Sequence, residues 1–171
     1  IRVFKTSIPE DSFICNYLPA DYTDAFAGIA KGENITAKKL QIAFWTDMPS
    51  WIKKLFALRN VLVKPFGLKT DKGDTDKLRE CLENGGSYNM TSVVTDSENE
   101  MVICLTDKHL NAYMSVYIKN DSEDEKQAFV ITLVHFHNWL GRTYFFFIRP
   151  FHGIIVRKML KSKLEKMCRN M

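Results

Sequence analysis

Four short apolar and polar segments follow one another between residues 91 and 137, separated by breaks of hairpin length. The segments read TSVVTDS, EMVICLT, NAYMSVYIK and QAFVITLVHFH, and acidic or asparagine-containing turns divide them. Strand-length segments at such regular spacing are typical of an antiparallel meander. The second half of the chain is therefore predicted to form an antiparallel sheet.

The first half of the chain is predicted to contain one strand followed by helices. Over residues 22 to 29 the residue types alternate with a period of two, which predicts a first strand. A first helix is predicted to begin at the N-cap Thr36, and a second to begin at Pro49 with Asp47 as its cap. A further short helix is predicted over residues 75 to 82. The apolar stripe of the second helix comprises Trp51, Leu55, Leu58 and Leu62.

A long helix is predicted after residue 138. Pro150 removes one backbone hydrogen bond and should kink or divide this helix near Ile148. A bilayer span needs about 20 apolar residues, and the longest aromatic and aliphatic run here covers only residues 144 to 148 between two arginines, so a membrane span is excluded. The predicted apolar stripe comprises Leu140, Tyr144, Phe147, Phe151 and Ile155.

Composition favours one globular domain over residues 1–171. The chain has 46% hydrophobic residues and a net charge of +4, which argues only weakly for nucleic acid, so no nucleic-acid partner is expected. The four cysteines are widely spaced without a C-x-x-C pair, and this pattern favours reduced thiols in the cytoplasm. No phosphate-binding glycine motif or Gly-x-Ser-x-Gly elbow occurs in the sequence, so no cofactor is expected.

Basic residues crowd the C-terminus, at Arg157, Lys158, Lys161, Lys163, Lys166 and Arg169. Such a cluster predicts a solvated helix end. An anionic membrane surface or an acidic partner is the alternative interpretation.

Four motifs resemble the DUF2867 family, an uncharacterised bacterial family. They are DYTDAF, LRNVLVKPFGL, TDKHLNAYMSV and HNWLGRTYFFFIRPFHGIIVRKML. The order of elements is similar to the α+β helix-grip fold of the START/Bet v 1-like (SRPBCC) superfamily. The resemblance implies a curved antiparallel sheet wrapped around a long C-terminal helix, with two short helices after the first strand. Related chains are sometimes attached to reductase-type domains, which makes a separate reductase one candidate partner.

A polar cluster is predicted where the last strand meets the last helix. His137, Asn138, Arg142 and His152 are expected to meet Asp107 and His109 from the preceding hairpin, and Arg59 is expected to pair with Asp24, with Asp107 or with an anionic ligand. The alternative is structural: Asn138 caps the helix, Arg142 pairs with an acidic neighbour and the histidines satisfy buried backbone groups. His135 and His137 are expected on one strand face, but without a third ligand no metal is predicted.

The apolar wall of a cavity is predicted to comprise Tyr113, Phe129, Tyr144, Phe147 and Phe151. Such a cavity between sheet and helix would hold a small apolar or amphipathic molecule, with the polar cluster orienting its head group. A non-enzymatic binding module is the leading hypothesis. The alternatives are an enzyme in which His137 or His152 acts as a general base, and an interaction partner of a reductase or a membrane surface.

Overall fold

The computed structural model describes residues 1–32, 34–67, 73–122 and 125–169, and its architecture is α+β. The strands are β1 (Val3–Lys5), β2 (Tyr22–Lys31), β3 (Ser87–Tyr88), β4 (Thr91–Asp96), β5 (Glu100–Thr106), β6 (Leu110–Asn120) and β7 (Glu125–Phe136). The helices are α1 (Ala37–Thr46), α2 (Ser50–Val63), α3 (Thr75–Asn84) and α4 (Trp139–Arg169).

All seven strands form one curved antiparallel sheet in the order β1-β2-β7-β6-β5-β4-β3. The meander predicted from β4 to β7 is confirmed. β7 also pairs along its length with β2, so the first and second halves of the chain share one sheet. Helices α1 and α4 pack on one face, and an N-terminal segment with a 3₁₀ turn at Phe13–Tyr17 covers the other.

Two details of the predicted first half need correction. The strand at residues 22–31 is the second, because the three-residue β1, too short to show a period, pairs at its edge with Val3 opposite Gly28. Three helices then follow, where the resemblance implied two; the short helix predicted over residues 75 to 82 is confirmed and extends to Asn84.

The predicted cap of α1 is confirmed, whereas the predicted cap of α2 is wrong. The Thr36 side chain accepts a hydrogen bond from the Lys39 amide at 3.3 Å. Asp47 is instead the C-cap residue of α1, and its carboxylate forms ion pairs with Lys163 and Lys166 of α4 at 3.0 and 2.8 Å.

Helix α4 is continuous through Pro150, so of the two outcomes predicted there, a kink or a division, the division is wrong. Its buried side was also predicted one residue out of phase, a rotation of about 100°. The sheet-facing side contains Gly141, Phe145, Val156, Leu160 and Leu164, whereas Phe147 and Phe151 are exposed. Packing on this side is tight: a Cβ atom at Gly28 of β2 would lie 2.8 Å from Leu164 Cδ1.

Candidate functional site

A buried carboxylate and a histidine meet between the sheet and α4. Asp24 on β2 and Thr132 on β7 are cross-strand neighbours, so their side chains leave the sheet on the same face. His152 of α4 places Nε2 3.4 Å from Asp24 Oδ2 and 3.2 Å from Thr132 Oγ1, and Tyr22 OH donates to Asp24 Oδ2 at 2.7 Å. We call these four residues the Asp24–His152 cluster.

The Asp24–His152 cluster lies in a desolvated environment. Asp24 is only 4% exposed, and among the described residues its Oδ1 atom has no hydrogen-bond partner. Burial, and then the bond to Asp24, raise the pKa of Tyr22 well above its usual range, so Tyr22 stays protonated as a donor. Oδ1 is therefore a buried acceptor, and it could take a hydrogen bond from a bound molecule.

A second polar group joins the β5–β6 turn to the first turn of α4. Asn138 Nδ2 lies 3.0 Å from His109 Nδ1, and Asn138 Oδ1 accepts from the Gly141 amide at 3.1 Å. Gly141 allows this close approach, because a Cβ atom there would lie 2.2 Å from the His109 carbonyl oxygen. These contacts favour the structural interpretation in which Asn138 caps α4.

Arg59 makes its described contacts with tyrosine and amide groups rather than with Asp24. Its Nε atom donates to Tyr144 OH at 2.6 Å, its guanidinium lies 5.2 Å from the Tyr144 ring centroid, and Nη1 donates to Asn60 Oδ1 at 2.9 Å. Burial raises the pKa of Tyr144, the Arg59 charge opposes that rise, and the Asp107 charge adds to it. Asp107 therefore lies within electrostatic reach of this group.

The remaining two polar candidates lie at the surface. Arg142 is paired with Asp21 at 3.6 Å and stacks over Phe136. His137 lies beyond the end of β7, because its amide donates to the His109 carbonyl in a turn. The prediction that His135 and His137 share one strand face is therefore wrong. Within the described ranges no three His, Cys, Asp or Glu side chains are grouped in a way that could hold a metal ion.

The seven predicted polar residues thus fall into separate groups rather than one cluster. His109, His137 and Asn138 meet at the β5–β6 turn that also contains Asp107. Arg59 meets Tyr144, His152 meets Asp24, and Arg142 pairs with Asp21. Tyr22 and Thr132 were not predicted. The signal for this cluster lay in the DYTDAF alternation, because Asp24 occupies an inward-facing position beside Phe26.

The five predicted wall residues also do not share one surface. Tyr113 stacks on Tyr17 at 4.2 Å and Phe129 on Tyr117 at 5.8 Å, both on the sheet face opposite α4. Only Tyr144, Phe147 and Phe151 belong to α4. The wall was misassigned because alternation along a strand fixes which residues share a face but not which face a helix covers.

A different apolar surface lies between α2 and α4. Two contacts bridge the helices at its ends: Lys158 Nζ over the Trp51 ring at 5.4 Å, and Arg59 with Tyr144. Between them along the chain, Leu55 shares a side of α2 with Trp51 and Arg59, and Phe151 shares a side of α4 with Tyr144 and Lys158, because residues at these spacings fall on one side of a helix. Leu55 and Phe151 are 38% and 60% exposed. We call this open apolar space the α2–α4 cleft.

Helix α2, which forms one side of this cleft, buries little of its surface. Of its residues whose side chains are described, only Ile52 is buried, while Trp51, Leu55, Phe56 and Leu58 are exposed. The apolar stripe predicted for this helix includes Trp51, Leu55 and Leu58. The structure makes it one side of an open cleft.

Fold and site together define a class of protein: an α+β domain whose curved seven-stranded antiparallel sheet packs on a long C-terminal helix, with buried polar groups and an apolar cleft beside that helix. The family described as "Protein of unknown function (DUF2867)" matches residues 17–159, and the chain belongs to this family. No curated protein and no solved structure shows significant similarity to it. None of the described helices is long and apolar enough to cross a membrane.

Proposed function

We propose that this protein is a binding module that holds a small, elongated amphipathic molecule in the α2–α4 cleft. The observation that carries the proposal is that Leu55 and Phe151, which lie along α2 and α4 between the two bridging contacts, are 38% and 60% exposed. Apolar side chains on two facing helices normally close on each other, because burial contributes about 25 cal/mol per Å² of apolar area. A ligand between them would supply that burial.

The charges at the cleft favour an anionic head group. Arg59 lies at one end, where the Asp107 charge is also felt, and Lys158 lies at the other; neither α2 nor the part of α4 before Glu165 contains an acidic residue. A carboxylate or phosphate on an acyl or aromatic body fits this arrangement. The ligand class is thus an anionic amphipath.

We propose in addition that the fold is the helix-grip fold of the START/Bet v 1-like superfamily. The order of β2, three helices, the meander from β3 to β7 and then α4 supports this, as does the curvature of the sheet around α4. We further propose a single-domain bacterial protein of the cytoplasm. In support, Cys15, Cys81, Cys104 and Cys168 are all free thiols.

Titration with the anionic amphipathic dye 1-anilinonaphthalene-8-sulfonate tests the cleft, together with native mass spectrometry of the purified protein. We expect saturable fluorescence enhancement that Leu55→Ser and Phe151→Ser each weaken about tenfold, since each removes apolar contact worth about 1.4 kcal/mol. Phe146→Ser is the matched control, because Phe146 is equally exposed on another side of α4. Equal loss of binding in all three variants, with the fold intact, would refute the assignment.

The buried Asp24–His152 cluster favours a second candidate function, an enzyme in which His152 is a general base. Asp24 orients the imidazole, as carboxylates do in catalytic acid–base pairs. The test is to incubate the protein with any small molecule extracted from the purified material and to look for its chemical conversion. His152→Gln should abolish such conversion. His137→Gln, which alters an exposed histidine outside the cluster, should leave the conversion unchanged.

A further inference from the structure

The side of α4 that faces away from the sheet carries a continuous stripe. Positions at steps of three and four residues fall on one side of a helix, and this side lies roughly opposite the buried Phe145 and Val156. We call it the outer stripe. It comprises Trp139, Thr143, Phe146, Pro150, Ile154, Arg157 and Lys161.

The outer stripe divides into an apolar part and a basic part. Trp139, Phe146 and Ile154 are more than half exposed, and they line a length of about 22 Å at 1.5 Å per residue. Arg157 and Lys161 continue the same line toward the C-terminus. An isolated exposed aromatic side chain would need no explanation, but a row of three with a basic continuation does.

Positive charge dominates the surroundings of the outer stripe. Exposed Arg149 and Lys158 flank the stripe on α4. Among the described residues, Asp21 is paired with Arg142, and Glu165 lies 3.9 Å from Lys161. Asp47 pairs with Lys163 and Lys166, which lie on other sides of α4 than the outer stripe. The surface therefore complements a negatively charged partner.

We infer that the outer stripe docks in the plane of an anionic lipid bilayer. A protruding row of tryptophan and phenylalanine fits the layer between head groups and acyl chains, and the neighbouring cations are attracted to acidic head groups. A second copy of the chain is a poor occupant, because antiparallel symmetric pairing would bury the basic part of one stripe against the apolar part of the other. The inference does not rest on the proposed ligand, since the outer stripe and the α2–α4 cleft are different sides of α4.

Sedimentation with phosphatidylcholine vesicles, with and without phosphatidylglycerol, tests the inference. We expect binding only to the vesicles that contain phosphatidylglycerol, weakened by added salt. Phe146→Ser combined with Ile154→Ser should lower the partition coefficient at least about tenfold. Arg157→Gln combined with Lys161→Gln should lower it to a similar extent.

Matched variants separate docking from a general effect of charge, apolarity or misfolding. Lys31→Gln with Lys119→Gln removes the same net charge at exposed sites on the sheet, and Phe13→Ser removes an exposed phenylalanine from the opposite side of the sheet. Both should bind vesicles like the unchanged protein, and thermal unfolding confirms that every variant is folded. Phe151→Ser should also keep vesicle binding while it weakens dye binding, which distinguishes docking from the ligand site.

Three results would overturn the inference. The first is no sedimentation of the unchanged protein with anionic vesicles, and the second is equal loss in the stripe variants and their controls. The third is binding to soluble polyglutamate as tight as binding to the vesicles and unaffected by Phe146→Ser combined with Ile154→Ser. That result would indicate an acidic protein partner.

Discussion

The two halves of α4 lie over the same sheet but have different surroundings. From Val156 to Leu164 the helix buries large side chains against β1, β2 and α1, and its end is tied to Asp47. From Tyr144 to Ile155 only the sheet-facing side is buried, while the side toward α2 stays open. Stability is therefore concentrated in the C-terminal half, and the N-terminal half leaves apolar surface for binding.

This division places the polar groups where they can act. The Asp24–His152 cluster lies under the open half, one helical position from Phe151 of the cleft. The buried Glu100, in contrast, accepts hydrogen bonds from Ser12, Ser115 and the Phe13 amide on the other face of the sheet. Its donors occupy both carboxylate oxygens, so Glu100 holds the 3₁₀ turn in place, whereas Asp24 keeps one oxygen available.

The largest expected contrast is between an alanine substitution in each half. Leu160→Ala should lower the free energy of unfolding by about 2–5 kcal/mol, because Leu160 is fully buried and the change leaves a cavity. Phe151→Ala should lower it by less than about 1 kcal/mol, because most of that side chain is already in water. Urea unfolding at equilibrium measures both.

A cost for Phe151→Ala as large as that for Leu160→Ala would show that α2 and α4 are closed in solution. Phe146→Ala serves as the reference for an exposed phenylalanine on the same helix. If Phe151 is exposed as the structure shows, Phe151→Ala and Phe146→Ala should lower the free energy of unfolding by amounts that agree within a few tenths of a kcal/mol.

The second contrast concerns two glycines within the N-terminal half. Gly141→Ala should destabilise by about 1–3 kcal/mol, because the new Cβ would clash with the His109 backbone. Gly153→Ala should stabilise by about 0.5–1 kcal/mol, because alanine favours the helix and the new Cβ would make only an ordinary 3.5 Å contact with Phe26. Thermal unfolding distinguishes the two signs, and a neutral Gly141→Ala would mean that the start of α4 is looser than its hydrogen bonds indicate.

Local sequence patterns predicted most of the secondary structure, because helix caps and strand alternation are local properties. The Thr36 cap, the four strands of the meander and the long last helix are examples. The burial of α4 could not be predicted in the same way. An almost uniformly apolar segment such as TYFFFI has no polar side to mark its orientation, so only the sheet decides that Phe145 is buried and Phe147 is exposed.

The candidate site was less predictable than the fold, because its members come from distant segments. Histidine and arginine positions were visible in the sequence, but their partners depend on strand register, which places Thr132 opposite Asp24. The cleft depends on how closely α2 approaches α4. The apolar spacing of Trp51, Leu55 and Leu58 is the same whether that stripe is packed or open.

The last contrast is a pH dependence of stability that belongs to the packed C-terminal half alone. Hydrogen bonds from Lys166, and then from Lys163, lower the pKa of Asp47 from 3.8 to about 2 in the folded protein. A carboxyl group with a lowered pKa contributes stability that is fully present above its unfolded pKa and is lost as the pH falls toward the folded pKa. The stabilisation from Asp47 should therefore disappear between about pH 4 and pH 2.

Because the Asp47 side chain is half exposed, solvent screening should reduce the effect to about 1 kcal/mol. Unfolding free energies measured across this pH range should fall more steeply for the unchanged protein than for Asp47→Asn. Lys166→Gln should fall between the two, since it removes the largest cause of the shift but leaves Lys163. Dye binding by Asp47→Asn at neutral pH should be unchanged, because the ion pairs tie α4 to α1 and lie away from the cleft. If Asp47→Asn also lowered the affinity for the dye, the two halves of α4 would be coupled. The contrast between a packed C-terminal half and an open N-terminal half would then be wrong.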